Sequence, residues 1–134
     1  MMQILQPPSW ARPRGFSNGI AVKGGTTVYI AGQVGYNGQG VWEAKGFAGQ
    51  FRQALANILA VLAEAGGRPE HLVRLTWYVL DKQEYLGALQ DVGAAYRELI
   101  GRHYPAMAVV QVSGLIEDGA KLEIETTAVI PEST

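Results

Sequence analysis

The chain has 134 residues, 48% of them hydrophobic and 17% charged, with a formal net charge of −1. That length suits one domain with a real core, and the near-balanced charge supplies no field for a nucleic-acid partner. No cysteine is present, which removes disulfides, thiolate nucleophiles and thiolate metal sites. No apolar run approaches the roughly 20 residues of a membrane span, so no membrane partner is expected. The opening MMQILQPPSW lacks a basic start followed by an apolar run, so it does not read as a signal peptide and a cytoplasmic protein is expected.

One domain is expected over residues 1–134, with an irregular segment over 1–15. There Pro7-Pro8 and Arg12-Pro13-Arg14-Gly15 resist both helix and strand. Asn18 to Lys23, Gly24-Gly25 and Thr26 to Val34 read as strand, turn and strand of a hairpin. Gly35 to Lys45 is a glycine-rich loop whose spacing matches neither the dinucleotide fingerprint nor the phosphate-loop pattern. Residues 46–65 are helical, because Phe47, Phe51, Leu55, Ile58, Leu59 and Leu62 recur at three and four. Gly66-Gly67 and Pro69 end that helix. Glu70 to Leu80 is a strand rich in β-branched and aromatic residues, with Val73, Leu75, Trp77 and Val79 expected to face one way. Asp81 is positioned to cap a second helix over 82–102, with Tyr85, Leu89, Val92 and Tyr96 on its apolar stripe. Pro105 to Glu125 reads as two strands joined by a tight connection.

The order β-β-α-β-α-β-β predicts an α+β fold, with a mixed β-sheet and two helices packed on one face. The strand after Pro105 is apolar on both sides, so both sides are expected to be shielded from water. If Ala108, Val110 and Val112 meet the helices, Met107 and Val109 lie on the uncovered face. An apolar face of that size predicts a homo-oligomer.

Few side chains are candidates for chemistry. Glu123 and Glu125 are two apart on a strand and point the same way. They read either as a general base that positions a water or as a solvated polar face. His71 and His103 sit in different elements without ligand spacing, so no metal site is expected. His71 reads as a surface residue and His103 as a helix-end partner of the dipole. Arg12 and Arg14 flank Pro13 and could hold an anion at a pocket edge, or be solvated charges. Trp77 reads as core or interface. The serines lack a nucleophile-elbow context.

Several motifs together resemble the Rid family of imine and enamine deaminases, also called the YjgF family. They are Gly15-Phe16-Ser17-Asn18-Gly19-Ile20, Ile30-Ala31-Gly32-Gln33, Gln53-Ala54-Leu55-Ala56-Asn57-Ile58, Tyr78-Val79-Leu80-Asp81, Tyr104-Pro105-Ala106 and Lys121-Leu122-Glu123-Ile124-Glu125. The resemblance implies a chorismate-mutase-like fold and a homotrimer with ligand clefts between subunits. It implies water attack on the carbon of a C=N bond in a small-molecule ligand, releasing ammonia, with no cofactor. It places Glu123 at the attacking water, the Gly32 carbonyl in the catalytic set, and Phe16, Ala31, Met107 and Val109 around the substrate. The chain departs from the family pattern at four of these positions. Met107 stands where an arginine grips the substrate carboxylate, Ala31 where a serine is usual, Phe16 where a tyrosine is usual, and Val109 where a cysteine is usual. Such a departure implies altered specificity, for an imine or enamine that is less polar or whose carboxylate is held elsewhere, for instance by Arg12 or Arg14, or a non-catalytic trimer that binds a small ligand or a partner protein. Endoribonuclease activity, attached to some members, is disfavoured by the pI of 6.1 and the missing basic patch.

Overall fold

The computed structural model describes residues 2–132, so Met1, Ser133 and Thr134 of the expected domain lie outside it. In chain order the strands are β1 (Met2–Leu5), β2 (Gly19–Val22), β3 (Thr26–Gln33), β4 (Leu72–Val79), β5 (Ala106–Gln111) and β6 (Leu122–Ile130). The helices are α1 (Gly46–Glu64), α2 (Lys82–Gly87) and α3 (Leu89–Leu99), and a 3-10 turn, Pro69–His71, leads into β4. The main sheet runs β3-β6-β4-β5. It is mixed, with β4 and β5 parallel and the other pairs antiparallel.

One face of this sheet forms the core. Alternation puts Leu75, Trp77 and Val79 of β4, with Leu122, Ile124 and Ala128 of β6, on the same side, none more than 5% exposed. Val73 does not join them as expected, because the register shift between Leu72 and Arg74 buries Leu72 with Leu75 and leaves Val73 half-buried. The α1 stripe of Phe51, Leu55, Ile58 and Leu62 is sealed against them, as its spacing predicts. Phe51 stacks on Trp77 with ring centroids 4.8 Å apart. The Asp81 carboxylate accepts from the backbone N–H groups of Gln83 and Glu84, the expected N-cap. The opposite sheet face carries Arg74, Thr76, Tyr78, Glu123 and Glu125, with no helix over it.

The connections differ from the expected ones. β2 and β3 do not form a hairpin: β2 pairs with β1 and β3 pairs with β6. Gly24 and Gly25 both take positive φ, at 72° and 83°. A Cβ at Gly25 would lie 2.5 Å from the Ile130 carbonyl oxygen, so this glycine lets the chain pass tightly over the end of β6. The long β6 ladder, reached from Thr26, takes the place of the local hairpin. Pairing with β2 also gives Met2–Leu5, within the segment expected to be irregular, a strand conformation.

β5 and β6 are not neighbours either, because β4 lies between them. β5 is an edge strand, and Val109 and Val110 stay 37% and 42% exposed instead of shielded on both sides. The parallel register sets Leu75 beside Met107 and Trp77 beside Val109. Met107 and Val109 therefore look toward the helices, and Ala108 and Val110 toward the uncovered face, so the condition under which Met107 and Val109 would lie on the uncovered face is not met. The uncovered face is correspondingly polar, and Met107 and Val109 contribute nothing to it.

The second helix is divided at Ala88, where φ is −108° and ψ is 6°. Val92 and Tyr96 of its stripe are buried, whereas Leu89 is 47% exposed. Two histidine expectations also change. His71 is 8% exposed, and its Nδ1 accepts from the Arg68 N–H at 2.9 Å, because the 3-10 turn folds it inward. His103 lies beyond the last turn of α3 and donates from Nε2 to the Leu72 carbonyl at 2.6 Å.

Tyr96 donates its hydroxyl to the His103 carbonyl at 2.6 Å, and burial, with Tyr104 nearby, pushes its phenol well above the ordinary range. In the unfolded chain that phenol ionises near pH 10. The stability it contributes is therefore complete below about pH 10 and is lost as pH rises further. Thermal unfolding followed by circular dichroism from pH 8 to 11 should show the melting temperature falling above about pH 10. Tyr96→Phe should make that fall shallower, and an unchanged slope would contradict this origin.

Candidate functional site

The residues singled out by the sequence gather in two places. The first is a cavity of about 590 Å³ between the helix side of β5 and α3. Its entry is built by the N-terminal segment. Ser17 bridges to Ala106, its N–H donates to the Pro105 carbonyl at 3.1 Å, and its hydroxyl donates to the Tyr104 carbonyl at 2.5 Å. This clamp holds Arg14 and Phe16 beside the start of β5, where both line the cavity with Met107 and Val109. The deeper walls are aromatic. Trp77 meets Tyr85 edge-on at 6.1 Å, and Tyr96 stacks on Tyr104 at 5.4 Å with the rings 6° from parallel.

The second group lies on the uncovered sheet face. The β3–β6 register shifts between Ile30 and Gln33. This bulge takes Gly32 off the face it would share with Val28 and Ile30, and sets it against Glu123. A Cβ at Gly32 would fall into the Glu123 carboxylate, 2.8 Å from its Cδ. Glu123 is half-buried, and its carboxylate accepts no hydrogen bond among the described residues. Ala31 is exposed beside it, with its carbonyl accepting from the Gln33 side chain at 3.1 Å. Glu125, on the same face, accepts from the Tyr78 hydroxyl at 2.5 Å. That hydrogen bond to a carboxylate is the main reason the Tyr78 phenol is held above its ordinary range.

Arg14, Phe16, Met107 and Val109 thus come together, as do Gly32, Ala31 and Glu123, but the two groups sit on opposite faces of one sheet. Arg12 belongs to neither and lines a smaller depression with Arg102 and His103. No cluster that could hold a metal occurs among the described residues. The Gly35 to Gly40 loop closes on itself through Asn37, whose carboxamide oxygen accepts from Gln39 and Val41 N–H groups, and offers no phosphate cradle. Sequence reasoning did not single out Arg97, which also lines the cavity. The available signal was Gly93 in the middle of α3, four residues before it: a Cβ there would lie 3.2 Å from Arg97 Nη1.

A mixed sheet with helices on one face and a carboxylate-bearing β6 on the other defines an α+β protein of the chorismate-mutase-like type. Residues 11–130 match the family described as Endoribonuclease L-PSP, and the chain belongs to that family, the Rid/YjgF family. A RutC family protein of Pyrococcus horikoshii is 33% identical over 109 residues, 81% of this chain and 82% of that protein. The human 2-iminobutanoate/2-iminopropanoate deaminase is 31% identical over 104 residues, 77% of this chain and 72% of that one. Among solved structures, a Rid-family protein of unknown function from Yersinia pestis superposes with a TM-score of 0.84 at 29% identity, covering 96% of this chain and 98% of its own. No helix among the described residues is long and apolar enough to cross a membrane.

The contact between Gly32 and Glu123 can be measured directly. Gly32→Ala should lower stability by about 1–3 kcal/mol by overpacking against the carboxylate. In Gly32→Ala/Glu123→Ala most of that loss should be recovered, giving a coupling of about 1 kcal/mol in urea denaturation. Additive losses would show that the two residues do not touch.

Proposed function

We propose that the protein hydrolyses an imine or enamine in a cleft completed by a second copy of the chain. The observation that carries this reading is the Glu123 carboxylate, free of hydrogen bonds and pressed against the bare Gly32 at a β-bulge. An unpaired, half-buried carboxylate can hold and deprotonate a water. That water's oxygen bonds to the C=N carbon, and the π electrons move to nitrogen, which takes up a proton. In the tetrahedral adduct the hydroxyl proton passes to the amine nitrogen, and ammonia leaves as the C–N bond breaks and the C=O bond forms. An enamine enters the same course after tautomerising to the imine. The reaction consumes only water and needs proton transfer and placement, so the reading calls for no cofactor.

Glu123 and Gly32 of one copy would face Phe16, Met107 and Val109 of the next, in a homotrimer with its ligand clefts between subunits. With Met107 in the place of the family's arginine, the substrate would differ from those of the relatives that carry it. The apolar trio Phe16, Met107 and Val109 favours one other reading, a non-catalytic trimer that binds a small ligand.

Light scattering should give a mass near three times the 14.4 kDa of one chain. A monomer at micromolar concentration would remove the shared cleft. The chemistry is tested by ammonia release from imines generated in situ by an amino-acid oxidase. The wild type should accelerate release, and Glu123→Gln should reduce the rate by about 10²-fold or more. A wild type inert toward every imine would leave the binding reading.

A further inference from the structure

We infer that the cavity under α3 is a binding site for an aromatic carboxylic acid, with Arg14 and Arg97 as the carboxylate clamp. For turnover this rests on the hydrolase reading above, where it makes the substrate a 2-imino acid with an aromatic side chain. The binding itself stands on the cavity.

Size comes first. A volume of about 590 Å³ lies in the range of pockets for whole small molecules. A three- or four-carbon acid would leave most of it unfilled. Shape and chemistry come next. Trp77, Tyr85, Tyr96 and Tyr104 present flat faces and edges suited to a ring. Trp77 is 5% exposed, and its indole N–H has no hydrogen-bond partner among the described residues.

Charge decides the anionic end. The lining contains two arginines and neither Asp nor Glu. Of the other cations, Arg52 pairs with Glu98, Arg68 with Glu70 and Lys121 with Glu84, whereas Arg12, Lys45, Arg74, Lys82 and Arg102 make no ion pair among the described residues, so it is their place at the cavity that sets Arg14 and Arg97 apart. Arg14 and Arg97 are exposed and make no ion pair among the described residues. Position explains how Arg97 reaches the cavity. Gly93, which also lines it, leaves bare the helix turn over which the Arg97 guanidinium lies. A glycine inside a helix is disfavoured relative to alanine. Here it gives the guanidinium a path across the cavity wall. Arg97 also stands in the last turn of α3, where any cation meets the helix dipole favourably. That role needs only charge, whereas a clamp needs the planar fork. Met107 offers no cation on the β5 side, so a carboxylate in this cavity is drawn toward α3 and the N-terminal segment.

The test uses stable 2-oxo acids and calorimetry, so it does not depend on turnover. Phenylpyruvate should bind at least tenfold more tightly than 2-oxobutanoate. Arg14→Gln and Arg97→Gln should each weaken phenylpyruvate about 10- to 100-fold, the scale of one charge-assisted contact. Arg97→Lys, which keeps the charge for the helix dipole, should recover only part of that loss. Binding of the neutral 3-phenylpropanol should be the same in wild type and Arg97→Gln. Both arginines are exposed, so the variants should melt within a few degrees of the wild type, Arg97→Gln losing only its favourable contact with the helix dipole, which excludes a folding defect.

Equal affinity for the two acids, or full affinity in Arg97→Gln, overturns the inference. If phenylpyruvate binds through the arginines while no imine is hydrolysed, the site stands and the hydrolase reading falls. If small imines are hydrolysed through Glu123 while phenylpyruvate fails to bind, the hydrolase reading stands and this inference falls.

Discussion

Strand alternation in one mixed sheet governs what this molecule can do. Trp77 and Tyr78 are adjacent on β4, and the pleat sends them to opposite faces. Everything in register follows. Val109 lies with Trp77, and Glu123 lies with Tyr78. The helix-covered face holds the core and the aromatic cavity, and the uncovered face holds the carboxylates. No conformational adjustment short of breaking the sheet can bring Met107 and Glu123 of one copy to the same point. A cleft that uses both has to be made by two copies, which is why the proposed chemistry and the proposed trimer are one hypothesis. The alternation is interrupted between Ile30 and Gln33 and again between Leu72 and Arg74, and the first interruption sets Gly32 against the carboxylate proposed to hold the water.

The sequence made the local elements readable, because their causes are local. Phe47, Phe51, Leu55, Ile58 and Leu62 define α1 through spacing alone. Asp81 marks a helix start through a hydrogen bond to residues two and three positions on. The alternation of Leu75, Trp77 and Val79 names a buried strand face. What stayed hidden was pairing between distant segments. Met107 to Val110 are apolar on both sides, so alternation predicts two faces without saying which meets the helices. Only the register with Leu75 and Trp77 decides it. The Gly24-Gly25 pair has hairpin chemistry, yet the competing ladder with β6 is longer than anything β2 could offer. The family motifs located Gly32 and Glu123 in the chain, but their contact depends on a bulge that no spacing rule announces.

Natural sequences usually satisfy every local preference, and the exceptions tend to mark sites of function. Three such exceptions meet in this chain at one cavity. A helix that could have run unbroken is divided at Ala88, leaving Leu89 and Tyr85 around an opening instead of within a core. A glycine stands in the middle of α3 where alanine would be better. A tryptophan N–H is buried without an acceptor. Each is mildly unfavourable alone, and packing by itself explains none of them. Together with two unpaired arginines and no acid in the lining, they describe a pocket whose cationic end sits on α3 and the N-terminal segment. In this chain the strand edge at Met107 is apolar, and the charge available to an anionic ligand lies across the cavity from it.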